Sequence, residues 1–203
     1  SDTYHTPGAA KRLEQAAKRW PMKAFTHYVA GEDDGSWFNS PVGIDFLGTA
    51  EQLGLIASIS IAPHHQNELR KAIERHPNLN FLFHHMSGLK AHGDDARANV
   101  DNVIETSKLP NAFLKLSGFH YLTDTPWNFP YKDTLWVYEE CYEAFGTNMV
   151  WGSDFPVVKK SMTHLQALEA LRTHCDFVNE PDKRAILGGT LERLLSEARS
   201  VTK

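Results

Sequence analysis

Residues 149–157, MVWGSDFPV, read as a short buried strand that stops abruptly. Met149, Val150 and Trp151 form an apolar run, Gly152 and Ser153 break it, and Pro156 blocks its continuation, so Asp154 stands where a buried strand emerges. In parallel α/β proteins the carboxyl ends of the strands carry the chemistry, which makes an acid at such a place a candidate functional group. An aspartate there would also serve as a turn or helix cap. The pattern on either side of this strand decides how it is used.

Upstream, four more apolar runs of strand length occupy 22–29, 56–61, 79–85 and 112–117. Helix-patterned stretches lie between them, at 45–53, 67–75, 96–107 and 133–145, and a first helix at 9–19 is expected to be capped by Thr6 with Pro7 at its first position. Downstream, Leu165, Leu168 and Leu171 mark a helix, Pro181 opens a short one stopped by Gly188 and Gly189, and Thr190 caps a last helix at 191–199. Alternating strand and helix implies a parallel sheet with right-handed crossovers, either an open doubly wound sheet or a (β/α)8 barrel. Five strands are fewer than a closed barrel needs. Yet His27, His64 or His65, His85, Ser117 and Asp154 lie at or just beyond the carboxyl ends of all five, and polar groups gathered on one rim are the habit of a barrel. The aromatic loops at 31–41 and 118–132 are candidates to line a site.

Strand alternation gives a finer expectation. Phe81 and Phe83 share parity with His85, so His85 is expected to face the barrel interior, with Leu82 and His84 turned toward the helices. Lys115 shares parity with Phe113 and Ser117, and either points into the barrel or snorkels from its surface.

Composition limits the partners. A chain of 203 residues, 41% of them hydrophobic, can bury one substantial core, and 1–203 reads as a single domain. A formal charge of -4, with no cluster of Lys and Arg, argues against nucleic acid or an anionic membrane as partner and for a small-molecule substrate, with homo-oligomerisation left open. Cys141 and Cys175 are the only cysteines and form no Cys-x-x-Cys, so a reducing, cytoplasmic setting is expected. No apolar run reaches the length of a membrane helix. The chain begins at Ser1 without an initiator methionine, and is expected to be a piece of a longer protein.

The rim suggests hydrolysis. Water becomes a nucleophile through a carboxylate base, a metal or both, while the carbonyl under attack needs a donor or cation. Asp154 can be the base and His85 the electrophile. Neutral histidines and an aspartate are also suited to Zn²⁺ or Mn²⁺, although eleven histidines occur and each has a hydrogen-bonded structural role as its alternative.

Four runs carry a family resemblance: 79–89 (LNFLFHHMSGL), 112–119 (AFLKLSGF), 145–157 (FGTNMVWGSDFPV) and 186–195 (ILGGTLERLL). They resemble successive signatures of the amidohydrolase-2 family, and most closely its lactonase-like branch, which includes fuconolactonase and 2-pyrone-4,6-dicarboxylate hydrolase. The resemblance implies a (β/α)8 barrel of the amidohydrolase type whose fourth to eighth strands are the five seen, with the first three, and a His-x-His pair, preceding Ser1. It further implies Asp154 as general base and His85 as the group polarising the substrate, with His27, His64 and Ser117 in substrate binding. Thr26 stands where an Arg commonly precedes His27, and His84-His85-Met86-Ser87-Gly88-Leu89 replaces a pattern like Asp-His-Leu-Gly-Lys-Pro. The implied activity is hydrolysis of a lactone or similar cyclic ester. A metal-dependent non-oxidative decarboxylase and a non-catalytic, small-molecule-binding barrel fragment are the alternatives.

Overall fold

The computed structural model describes residues 5–198. Five strands, β1 (Ala24–Tyr28), β2 (Ile56–Ser60), β3 (Asn80–Phe83), β4 (Ala112–Leu116) and β5 (Met149–Trp151), form one sheet in chain order, and every neighbouring pair is parallel. Helices α1 (Ala9–Arg19), α2 (Pro41–Gln52), α3 (Gln66–Arg75), α4 (Ala96–Ile104) and α5 (Leu135–Phe145) precede successive strands. After β5 come α6 (His164–His174), α7 (Glu180–Arg184) and α8 (Thr190–Glu197). The strand order never reverses, as it would at the switch point of a doubly wound sheet.

The two faces of the sheet differ. Phe25, Ile59, Phe81, Phe83, Leu114 and Met149 alternate onto one face and are buried there against residues such as Leu47 of α2 and Leu69 and Ile73 of α3. Leu69, Ala72 and Ile73 of α3 are buried together because three- and four-residue spacing puts them on one side of a helix. Each such fully buried aliphatic side chain contributes roughly 1.5–3 kcal/mol of transfer free energy. On the opposite face Ile56, Leu82, Phe113 and Val150 form a smaller apolar layer near the amino ends of the strands, closed by Leu194 of α8 and by Ala198. Toward the carboxyl ends this face turns polar: Ser58, Ser60 and Lys115 are half-buried, and Thr26 and Tyr28 are exposed.

This arrangement corrects the parity expectation. Phe81 and Phe83 pack toward the helices, while Leu82 and His84 lie on the opposite, polar face. The largest apolar side chains go where a layer of helices can cover them, a partner that alternation by itself does not identify.

Three end signals also resolve differently. Thr6 does not cap α1; its N-cap is Gly8, in the left-handed region, and Thr6 Oγ1 accepts a hydrogen bond from Arg12. Helix α2 starts at Pro41, ahead of the expected 45, because the Ser40 hydroxyl accepts from the Gly43 N–H at 3.1 Å with proline at the first helical position. Gly188 and Gly189 do not stop a helix: Ala185–Gly189 is a π-helical segment joining α7 to α8, and the Thr190 hydroxyl donates to the Thr147 carbonyl at 2.7 Å. Arg199, the expected last helical residue, lies outside the described residues.

Candidate active site at the carboxyl ends of the strands

Beyond Trp151 the chain leaves the sheet and Asp154 takes a left-handed backbone conformation, φ 55°. Aspartate tolerates that region better than most residues. Gly152 acts through space rather than through its backbone angle. A Cβ at 152 would lie 2.5 Å from Cε of Lys115, so the glycine leaves the path of that lysine free across the polar face.

The chain after β3 is more unusual. His85, Met86 and Ser87 all have positive φ, between 45° and 54°, and Met86 and Ser87 are fully buried. Three successive non-glycine residues held in this region store strain of order 1 kcal/mol or more each, which clusters at functional sites. The turn breaks strand alternation. His84 stays on the polar face, its Nε2 2.6 Å from Ser58 Oγ, while His85 is redirected toward β4 and β5. There its Nδ1 is 2.9 Å from Ser117 Oγ, and its Nε2 is 3.6 Å from Asp154 Oδ1, an ion-pair distance longer than a hydrogen bond.

Tyr121 completes the group. Its hydroxyl donates to Asp154 Oδ2 at 2.5 Å, and its ring meets His85 edge to face with centroids 5.4 Å apart. A cavity of about 320 Å³ opens beside it, lined by Ser60, His84, His85, Lys90 and Tyr121 among others.

The electrostatics follow from burial. Desolvation holds His85 below its usual pKa, against the pull of Asp154 and with Lys115 and His120 adding to the depression, so its imidazole is neutral at pH 7. His84 is pushed down to about 4, first by burial and then by Lys115 and His85. Burial also lowers Lys115 and His120, in each case opposed by Asp154. For Tyr121 burial, the hydrogen bond to Asp154 and the carboxylate charge all act in one direction and push the phenol well above its ordinary value.

The expected site residues therefore separate into two groups. Asp154, His85 and Ser117 are brought together. His27 is not with them: it is buried on the helix-covered face, 5.1 Å from the Trp37 ring centroid to centroid. His64 is exposed and lies against His65, the rings tilted at 48° with centroids 3.9 Å apart, both Nε2 atoms facing the Asp33 carbonyl oxygen, at 3.2 and 2.7 Å. Strand-end position placed these two histidines on the correct edge, but could not give the direction of their side chains. Tyr121 and His84, which line the candidate site, were not among the residues expected there. Tyr121 carried one signal, its place in an aromatic loop already marked as a candidate lining.

The amidohydrolase family model matches residues 3–196. The chain belongs to the amidohydrolase family. No curated protein matches it. Among solved structures, this amidohydrolase is similar to one from Burkholderia multivorans with bound HEPES, at 17% identity and a TM-score of 0.83 over 96% of this chain and 71% of that one. A second crystal form of that protein holds zinc. It is also similar to a probable 2-pyrone-4,6-dicarboxylic acid hydrolase from Acinetobacter baumannii, at 17% identity and a TM-score of 0.75, with coverages of 96% and 71%. The 2,6-dihydroxybenzoate decarboxylase from Rhizobium is 15% identical with a TM-score of 0.62, covering 93% and 67%. At such identities the likeness is one of fold.

The expectation of a metal held by rim histidines with Asp154 meets a geometric obstacle. Among the described residues no three His, Cys, Asp or Glu side chains converge as a cation would need, because His27 and His64 point elsewhere. These residues do not by themselves make a Zn²⁺ or Mn²⁺ site. Among the described residues, no helix is long and apolar enough to cross a membrane.

Proposed function

We propose that this amidohydrolase opens a lactone or similar cyclic ester with water activated at Asp154, on the rim of a (β/α)8 barrel to which its five strands contribute the fourth to eighth. The unbroken parallel order β1 to β5 and coverage of 71% of the Burkholderia protein support the barrel reading. The observation that carries the chemistry is the Asp154–His85–Ser117 group. A carboxylate with one oxygen bonded to Tyr121 and the other turned toward a neutral imidazole can take a proton from water on that second oxygen. In the tautomer in which the Ser117 hydroxyl, 2.9 Å away, donates to Nδ1, His85 carries its proton on Nε2 and offers it to the carbonyl oxygen on which charge develops. The proton that Asp154 took from water then passes to the alkoxide released as the ring opens, His85 keeps its Nε2 proton, and the new carboxylic acid ionises to solvent.

The test is acid release from a panel of lactones by the full-length protein, followed with a pH indicator. CO2 release from an aromatic carboxylate without lactone opening would replace this reading with a decarboxylase, the activity in the name of the Rhizobium neighbour. No turnover on either panel, with the protein folded, would leave a binding protein.

A further inference from the structure

Tyr121 is held on a built support. Gly118, at φ +71°, opens the 3₁₀ turn Phe119–Tyr121, and a Cβ on Gly118 would lie 2.2 Å from Cδ2 of the Tyr121 ring. The Tyr121 N–H donates to the Gly118 carbonyl at 2.7 Å, and its own carbonyl accepts from Lys90 Nζ at 2.5 Å. His120 lies against one side of the ring at 4.0 Å and His85 meets it edge-on. Each of these contacts fixes the ring, and the ring delivers one hydroxyl to one oxygen of Asp154.

We propose that Tyr121 is a positioning residue for Asp154: its hydroxyl occupies Oδ2, fixes the carboxylate rotamer and leaves Oδ1 as the single oxygen that faces His85 and receives the proton. This deepens the hydrolase reading and rests on it for its kinetic part. A carboxylate free to rotate presents either oxygen in a range of directions, and misorientation of a base by about 1 Å costs on the order of 10²-fold in rate. Other groups facing the pair are Lys115 from β4, His84 and His85 from the end of β3, Lys90 from the loop that follows, His120 from the turn itself, and Tyr28 from β1. None of them donates a hydrogen bond to Oδ2 among the described residues.

The experiment has two arms. In the first, Tyr121→Phe keeps the ring and its packing and removes only the hydroxyl; kcat should fall about 10- to 100-fold with KM within about threefold. A kcat within about threefold of wild type, on an equally folded protein, overturns the proposal. The second arm needs no turnover. With tyrosine labelled at Cζ with ¹³C, the Tyr121 resonance, assigned by its loss in Tyr121→Phe, should titrate at lower pH in Asp154→Asn than in wild type, because a neutral amide removes the charge that opposes the phenolate. No change in that titration means the pair does not exist in solution, and the proposal falls. A shifted titration in a protein that opens no lactone sustains the pair and refutes the hydrolase reading instead.

Discussion

Two pairs of adjacent histidines sit at the carboxyl ends of neighbouring parallel strands, His64–His65 after β2 and His84–His85 after β3, and they meet different fates. After β2 the chain enters the turn Pro63–His65 and runs directly into α3, so both rings collapse onto the Asp33 carbonyl and onto each other. After β3 it passes through three left-handed residues before any helix begins, and the rings part: His84 lies beside Ser58 and His85 is delivered to Ser117 and Asp154. The same dipeptide at equivalent places gives a loop clasp in one case and a candidate catalytic group in the other. The difference is the backbone that follows, which turns a side chain by far more than a choice of rotamer can.

The comparison is broken most severely at the acid that only one pair reaches. Asp154→Asn keeps the size of the side chain but removes the proposed base, and kcat for a lactone the protein cleaves should drop by roughly 10²–10⁴ with the thermal midpoint little changed. A variant within about tenfold of wild type and equally stable would return Asp154 to the role of a turn cap. Next comes the contrast between the pairs themselves. His85→Ala should cost about 10² in kcat through loss of the proposed oxyanion donor, whereas His64→Ala, on an exposed ring, should leave kcat within about twofold. Similar losses in both, measured on equally folded proteins, would erase the distinction.

Stability sharpens it from the other side. His65 is buried, accepts from the Ala62 N–H at 2.9 Å and faces the Asp33 carbonyl, so His65→Ala should lose about 1–2 kcal/mol in urea unfolding while kcat stays near wild type. The smallest expected effect is a slope. The His84 pKa is lowered to about 4 in the fold against an ordinary 6.5, so the unfolded chain takes up the proton first. Its share of stability is complete above pH 6.5, declines as pH falls from there toward 4, and is constant below. Unfolding free energies of wild type and His84→Gln measured across that window should converge toward the acid end, and parallel curves would show that His84 titrates normally.

The strand and helix positions were legible to within a few residues, because the apolar spacing of α1, α3 and β2 reports directly which side chains need covering. The Gly152-Ser153-Asp154 break was legible too, since glycine and proline act on the backbone locally. The direction of Phe81 and Phe83 was not. Strand parity sorts residues into two sets, and only the helices packed on the sheet decide which set is buried beneath them. The alliance of His85 with Asp154 came out as expected although the parity argument behind it failed, because the left-handed turn at 85–87 overrides alternation, and nothing in His-Met-Ser announces positive φ as a glycine would. Tyr121 lay within a loop recognised as a candidate lining, but its hydroxyl reaches Asp154 across 33 residues of sequence.

By itself the sequence determined a parallel α/β chain with an acid at the end of its last strand and a family to which that pattern belongs, because strand and helix periodicity and glycine breaks are local consequences of steric and hydrophobic rules. Only the tertiary structure decided which histidines meet that acid, which face of the sheet is polar, and that a tyrosine holds the carboxylate, because these depend on directions in space between segments tens of residues apart, and such directions are set by packing.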